Sequence, residues 1–199
     1  MAEQYFSQQP QSESSPKTWS YQLKGKLYTF TSDHGVFSKN EVDFGSRLLI
    51  EEFKEPDQHG DLLDLGCGYG PIGICVADHL SNRRVVMTDI NERALKLARE
   101  NAAMNHVNNV ELFHSDRFAN LLDRKFAAIL TNPPIRAGKK TVHAMLEESK
   151  LALLDQGELW VVMQKKQGAP STKDKLQTLF GNVEVVARSK GYYIMRAKN

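Results

Sequence analysis

The sequence predicts an α/β fold: a mostly parallel sheet covered by helices on both faces, with an antiparallel strand at its end. Three observations predict it. From residue 61 onward, short apolar runs alternate with amphipathic stretches of helical period, the spacing of strand–helix–strand units. A glycine-rich segment, "DLGCGYGPIG" (64–73), joins the first of these runs to the helix that follows. Only "SKG" (189–191) separates the last two runs. So short a link cannot make a parallel crossover, and the final strand must run antiparallel to its predecessor.

In chain order, residues 1–18 are rich in Gln, Ser and Pro and predict a flexible arm that Tyr5 and Phe6 can pin. Trp19, Tyr21 and Leu23 alternate with polar residues, and Tyr28 and Phe30 resume the alternation after Gly25, predicting a hairpin over 19–30. Leu48, Leu49 and Phe53 share one face of a helix over 43–53. "DLLDL" (61–65) is a buried strand, and Pro71 suits the first turn of the helix over 71–80. A second core strand spans 84–89, and Asn91 caps a helix over 91–105 that carries Ala94, Leu95, Ala98 and Ala102 on one stripe. Strands follow at 110–114, 126–130 and 157–163, with helices near 139–154 and 170–180. The closing strands are 183–188 and 192–197. Residues 19–199 thus form one domain, with an N-terminal extension over 19–56 and a core over 57–199.

Composition narrows the function class. Apolar residues make up 41 % and charged residues 25 %, the balance of a soluble globular protein. No apolar run approaches the length of a membrane span, and the N-terminus has no basic segment followed by an apolar one. Cys67 and Cys75 offer neither a disulfide framework nor metal-ligand spacing, and His59, His79, His106, His114 and His143 share no such spacing, so a reducing cytoplasm without a metal is expected. A net charge of +2 does not announce a nucleic-acid binder, but "IRAGKK" (135–140) and "MQKK" (163–166) concentrate cations without acids.

Two stretches carry chemistry. In the glycine loop, Gly68, Gly70 and Gly73 spell a dinucleotide fingerprint, whereas Gly66, Gly68 and Gly70 with Asp64 two residues upstream spell an S-adenosylmethionine loop. Asp89, ending the second core strand, suits ribose hydroxyls in either case. Asp64 favours the second reading, because a carboxylate there can pair with the ammonium of a methionine moiety. The other stretch is "TNPPIRAGKK" (131–140). Each proline pushes the residue before it toward extended backbone and removes an N–H, leaving a stiff corner rich in acceptors.

"DLGCGYGPIG", "TDI" (88–90), "SD" (115–116) and "NPPI" (132–135) together resemble the successive motifs of class I S-adenosylmethionine-dependent methyltransferases. "HGVFSKNEVDFGSRLL" (34–49) resembles the entry to the catalytic domain of small-subunit rRNA guanine-N2 methyltransferases, the "methyltransferase small" family. The resemblance implies a seven-stranded Rossmann-like fold in a single-domain form, without the duplicated N-terminal domain of larger relatives. It implies cofactor contacts at Asp64, Gly66, Cys67, Gly68, Gly70, Asp89, Ile90 and Asp116, the last meeting the adenine amino group. It implies that the Asn132 side-chain oxygen and the Pro133 carbonyl accept the N–H groups of an exocyclic amine on an RNA base, with no catalytic base.

Substrate contacts are expected from Pro134, Ile135, Arg136, Lys139, Lys140, Lys165 and Lys166. Ile135 stands where the family usually has a ring that stacks on the substrate. His34 is a lesser pocket candidate, and Trp19 and Trp160 read as core. Three other functions share parts of this pattern: methylation of a protein glutamine, an RNA or ribosome-assembly factor that binds S-adenosylmethionine without turnover, and a nicotinamide oxidoreductase. Asn-Pro-Pro and the lack of a hydride-transfer partner weigh against the last.

Overall fold

The structure, a computed structural model, describes residues 13–38, 41–121 and 123–199. Tyr5 and Phe6 lie outside them. Nine strands and five helices occur in these segments, and seven of the strands form one sheet in the order β5-β4-β3-β6-β7-β9-β8. Its centre is β3 (Leu62–Leu65), flanked in parallel by β4 (Val85–Asp89) and β6 (Phe126–Thr131). β5 (Val110–His114) and β7 (Leu153–Gln164) extend the parallel array on either side. β9 (Tyr192–Lys198) inserts antiparallel between β7 and β8 (Glu184–Ser189), as the short link requires. Lys190 and Gly191 turn that link with φ of 46° and 80°, the geometry of a two-residue hairpin.

Every residue of β3 is buried, and the alternation of side chains sends Leu62 to one face and Leu63 and Leu65 to the other. The first face is covered by α1 (Phe44–Glu52), α2 (Pro71–His79) and α3 (Glu92–Met104), the second by α4 (Lys139–Ala152) and α5 (Ala169–Phe180). Asp64 therefore points to the α2 face. Trp160 on β7 is fully buried with its ring against Phe53, whereas Trp19, in the N-terminal hairpin, is only half-buried with its ring against Phe30 and Tyr69.

The N-terminal hairpin, β1 (Lys17–Leu23) and β2 (Lys26–Ser32), does not join the main sheet. Its free edge is answered by side chains instead. Asn101 on α3 and Asn105, its C-cap one turn later, each donate to and accept from the backbone of β2, at Thr31 and Thr29, over 2.7–3.0 Å. Asn101 also donates to the Tyr69 carbonyl in the glycine loop at 2.8 Å, so one buried amide ties the hairpin to that loop. Ser14 and the Ser15 N–H bond to Asp33, fastening the chain ahead of β1.

Most element ends shift by a residue or two from the sequence reading, and two of the shifts are instructive. β1 begins at Lys17, before the apolar alternation does. α4 ends at Ala152 and β7 begins at Leu153, four residues before its apolar run, because Gln156 at φ 61° bulges the strand and breaks its register with β6. Among the described residues no helix is long and apolar enough to cross a membrane, and no group of His, Cys, Asp or Glu could hold a metal ion.

Candidate active site

The carboxyl ends of β3, β4, β6 and β7 share one rim of the sheet, where ligands of such sheets bind. On the β3–β4 side, the N–H groups of Gly66 and Cys67 both donate to the Thr88 carbonyl at 2.8 Å, and the Gly68 N–H donates to Asp89 Oδ2 at 2.8 Å. Asp89 Oδ1 accepts from the Asn91 N–H. Burial raises the Asp89 carboxyl above the usual range, while these N–H groups pull it back.

The four glycines of the loop divide into two pairs. Gly66 (φ 78°) and Gly68 (φ 58°) would send a Cβ into open space, with nothing within 4 Å. A Cβ on Gly70 would lie 2.7 Å from Ile74, and one on Gly73 2.7 Å from Met87. The first pair borders a cleft, and the second seats α2 tightly on β4. Cys67 is buried, which holds its thiol well above the ordinary value, so its backbone is what it presents.

Asp64 is the electrostatic feature of this half. Its Oδ2 accepts from the Gly73 N–H at 2.7 Å, but its buried Oδ1 has no partner among the described residues. Burial raises its pKa to about 7, with Asp89 adding to the effect and the Gly73 bond opposing it. A buried acceptor left unmade is costly, and a cationic donor satisfies it best. An orphaned carboxylate oxygen beside glycines that leave room for a ligand fits the ammonium end of S-adenosylmethionine. Ile90 is half-exposed beside Asp89, and its carbonyl lies 2.9 Å from His114 Nε2. Asp116 is exposed, 3.9 Å from Arg117.

β6 brings Asn132 alongside. Asp64 pairs with Leu130 across the ladder, and Thr131 Oγ1 donates to the Leu65 carbonyl at 2.8 Å, so Asn132 and Gly66 leave neighbouring strands about 4.8 Å apart. The Asn132 amide nitrogen lies 3.0 Å from Ser46 Oγ and 3.3 Å from both carboxylate oxygens of Asp43. A carboxylate only accepts, so this contact fixes the amide rotamer, and the oxygen has no partner among the described residues. Asp43 is itself held as the N-cap of α1, accepting from the Gly45 and Ser46 N–H groups. Pro133 is buried and Pro134 half-exposed.

Ile135 opens a short 3-10 turn (Ile135–Ala137) and rests half-exposed on the apolar cluster beneath. Arg136 follows it, and Lys139 and Lys140 form the first turn of α4. Lys165 and Lys166 begin the turn after β7. All five cations are exposed, and none pairs with a carboxylate among the described residues. His34 is also exposed and contributes its carbonyl to Arg93.

The sequence reading missed Asp43, Ser46 and Asn101. A cap at Asp43 was legible as an acid before a helix, but its bond to a residue 89 positions away was not.

The methyltransferase small domain matches residues 27–196. The chain is 56 % identical over its whole length to the uncharacterized protein YbxB of Bacillus subtilis (strain 168), covering 99 % of that protein. It is 33 % identical over 175 residues to ribosomal RNA small subunit methyltransferase C of Haemophilus influenzae (strain PittGG), covering 86 % of this chain and 51 % of that one. Among solved structures, a T. thermophilus 16S rRNA N2 G1207 methyltransferase (RsmC), in complex with AdoMet and guanosine, superimposes with a TM-score of 0.82 at 25 % identity. That match covers 92 % of this chain and 50 % of the other. The chain thus spans about half the length of the rRNA methyltransferases it matches.

Proposed function

This chain belongs to the methyltransferase small domain family of S-adenosylmethionine-dependent methyltransferases; on that premise we propose that it methylates an exocyclic amino group of an RNA base, guanine N2 of small-subunit rRNA. One observation carries the reading: the Asn132 amide is locked with its oxygen free, one strand spacing from the glycine loop. The rRNA methyltransferases named above, which resemble this chain through the whole catalytic region, support the choice of substrate class.

S-adenosylmethionine supplies an electrophilic methyl group carried on a sulfonium. Asp64 Oδ1 would take the ammonium, Gly66 and Gly68 would admit the ligand to the backbone, and Asp89 would receive the ribose hydroxyls. Asp116 would accept from the adenine amine, with Ile90 beside the ring. An exocyclic amine is a poor nucleophile because its lone pair is delocalised into the base. Asn132 Oδ1 and the Pro133 carbonyl accept its two N–H groups, draw the nitrogen toward tetrahedral geometry and stabilise the positive charge that develops on it. As the N–C bond forms, the methyl–sulfur bond of the donor would break and leave a neutral thioether, and the methylated nitrogen would then lose its proton to solvent, so no side-chain base is needed. Pro134 and Ile135 border the base.

Lys139 and Lys140 occupy the first turn of α4, where the helix dipole disfavours cations. Together with Arg136, Lys165 and Lys166 they suit the phosphates of an RNA strand, in the cytoplasm where ribosomal subunits are assembled.

Incubation with methyl-labelled S-adenosylmethionine and, separately, small ribosomal subunits, naked rRNA and total protein tests this. Label enters RNA, and nucleoside digestion recovers it as N2-methylguanosine. Label confined to polypeptide would refute the RNA assignment and favour a glutamine substrate.

A further inference from the structure

Beside Asn132 the rim carries two further cations that the sequence reading did not single out. Arg47 on α1 and Lys190 in the β8–β9 turn both lie against the ring of Phe44, at 5.3 Å and 4.9 Å from its centroid. Arg47 also lies 5.2 Å from the Tyr21 ring centroid and donates to the Tyr21 hydroxyl. The Tyr192 ring closes the cluster, 5.5 Å from Phe44.

Among the described residues neither cation has a carboxylate within ion-pair distance. Arg47 Nε is buried without a hydrogen-bond partner. Asp43, one turn earlier on α1, commits its carboxylate to the helix N–H groups and to Asn132. Two like charges held on one ring repel each other, and the aromatic contacts orient them without neutralising them. What completes the cluster is an anion with several acceptor oxygens.

Position narrows the ligand further. Tyr192 pairs with Gln164 at the rim end of β7, and the Lys165 N–H donates to the Gly191 carbonyl at 2.7 Å, so Lys190 stands beside the Lys165–Lys166 turn. On its other side, α1 grips Asn132. We propose that Arg47 and Lys190 form a phosphate site that holds the RNA backbone next to the nucleotide being methylated. This rests on the RNA reading above. In the sheet order the β8–β9 turn that carries Lys190 stands on the far side of β6 from β3 and β4, so the site is expected to act on substrate affinity.

The test is the salt dependence of binding to a short fluorescein-labelled single-stranded oligoribonucleotide, followed by anisotropy. Each phosphate contact contributes about 0.7 to the slope of log affinity against log salt. Lys190→Gln, in an exposed turn, lowers that slope by about 0.7, and the double variant with Arg47→Gln by about 1.4. Arg47→Lys keeps the wild-type slope, and S-adenosylmethionine affinity by calorimetry is unchanged throughout. Wild-type slope and affinity in Lys190→Gln overturn the proposal while leaving the RNA reading intact. A wild-type protein that binds an acidic peptide in preference to RNA overturns both.

Discussion

Along the rim of the sheet, the end formed by β3 and β4 and the end formed by β6, β7 and β9 are put together differently. At the first, the loop closes on itself: Gly66, Cys67 and Gly68 bond to Thr88 and Asp89 on the adjacent strand, and the acid that stays unsatisfied, Asp64, is buried. At the second, the decisive side chain is held from afar. Asn132 depends on Asp43 and Ser46, and the exposed cations Arg136, Lys139, Lys140, Lys165 and Lys166 have no carboxylate partner among the described residues. The cofactor side is pre-formed by neighbours on two adjacent strands. The substrate side is a frame with charges waiting for a partner.

If that contrast holds, damage on the two sides separates into different kinetic quantities. The largest effect comes from Asp43→Asn. Asparagine still caps α1, but its amide nitrogen would face the amide nitrogen of Asn132 and favour the flipped rotamer, presenting a donor to the substrate amine. Turnover falls about 100-fold while S-adenosylmethionine affinity stays unchanged. Equal losses in both would break the separation.

Asp64→Asn keeps an acceptor for the Gly73 N–H and removes the charge. Cofactor affinity falls about 30-fold, read by calorimetry, with little change in turnover at saturating cofactor. The same residue predicts a pH dependence. Its folded pKa of about 7 stands above the unfolded value of 3.8, so its contribution to stability is full below the unfolded value and is lost as pH rises through about 7. Cofactor binding has the opposite sign, since the ammonium needs the ionised form. Affinity drops about tenfold from pH 8 to pH 6, and Asp64→Asn abolishes that slope. The smallest effect is Ser46→Ala, which removes one of the contacts on Asn132 and lowers turnover about threefold without touching cofactor affinity.

Most of the fold was legible because its signals are local. Strand–helix alternation, Asn91 as a cap and the short "SKG" link each state their consequence within a few residues. The bulge at Gln156 was not legible, because it answers to packing against β6 rather than to its own neighbours. Asn101 and Asn105 read as the polar side of a helix, yet they complete the edge of a strand some 70 residues earlier and, through Tyr69, brace the glycine loop. On the site itself, the cleft-facing role of Gly66 and Gly68 and the packing role of Gly70 and Gly73 needed coordinates, although the motif was plain. Ile135 in place of a ring was visible, and its seat on the apolar cluster was not. Long-range partners write no pattern into the segment they support.

The central claim is that a donor-free corner at Asn132 captures an amine beside the cofactor. Single-turnover methyl transfer to small-subunit rRNA by Asn132→Ala, with cofactor affinity measured in parallel, tests it most directly. The account predicts transfer reduced by at least about 100-fold with S-adenosylmethionine affinity at the wild-type value. Transfer at the wild-type rate by a variant with no amide at 132 would contradict it.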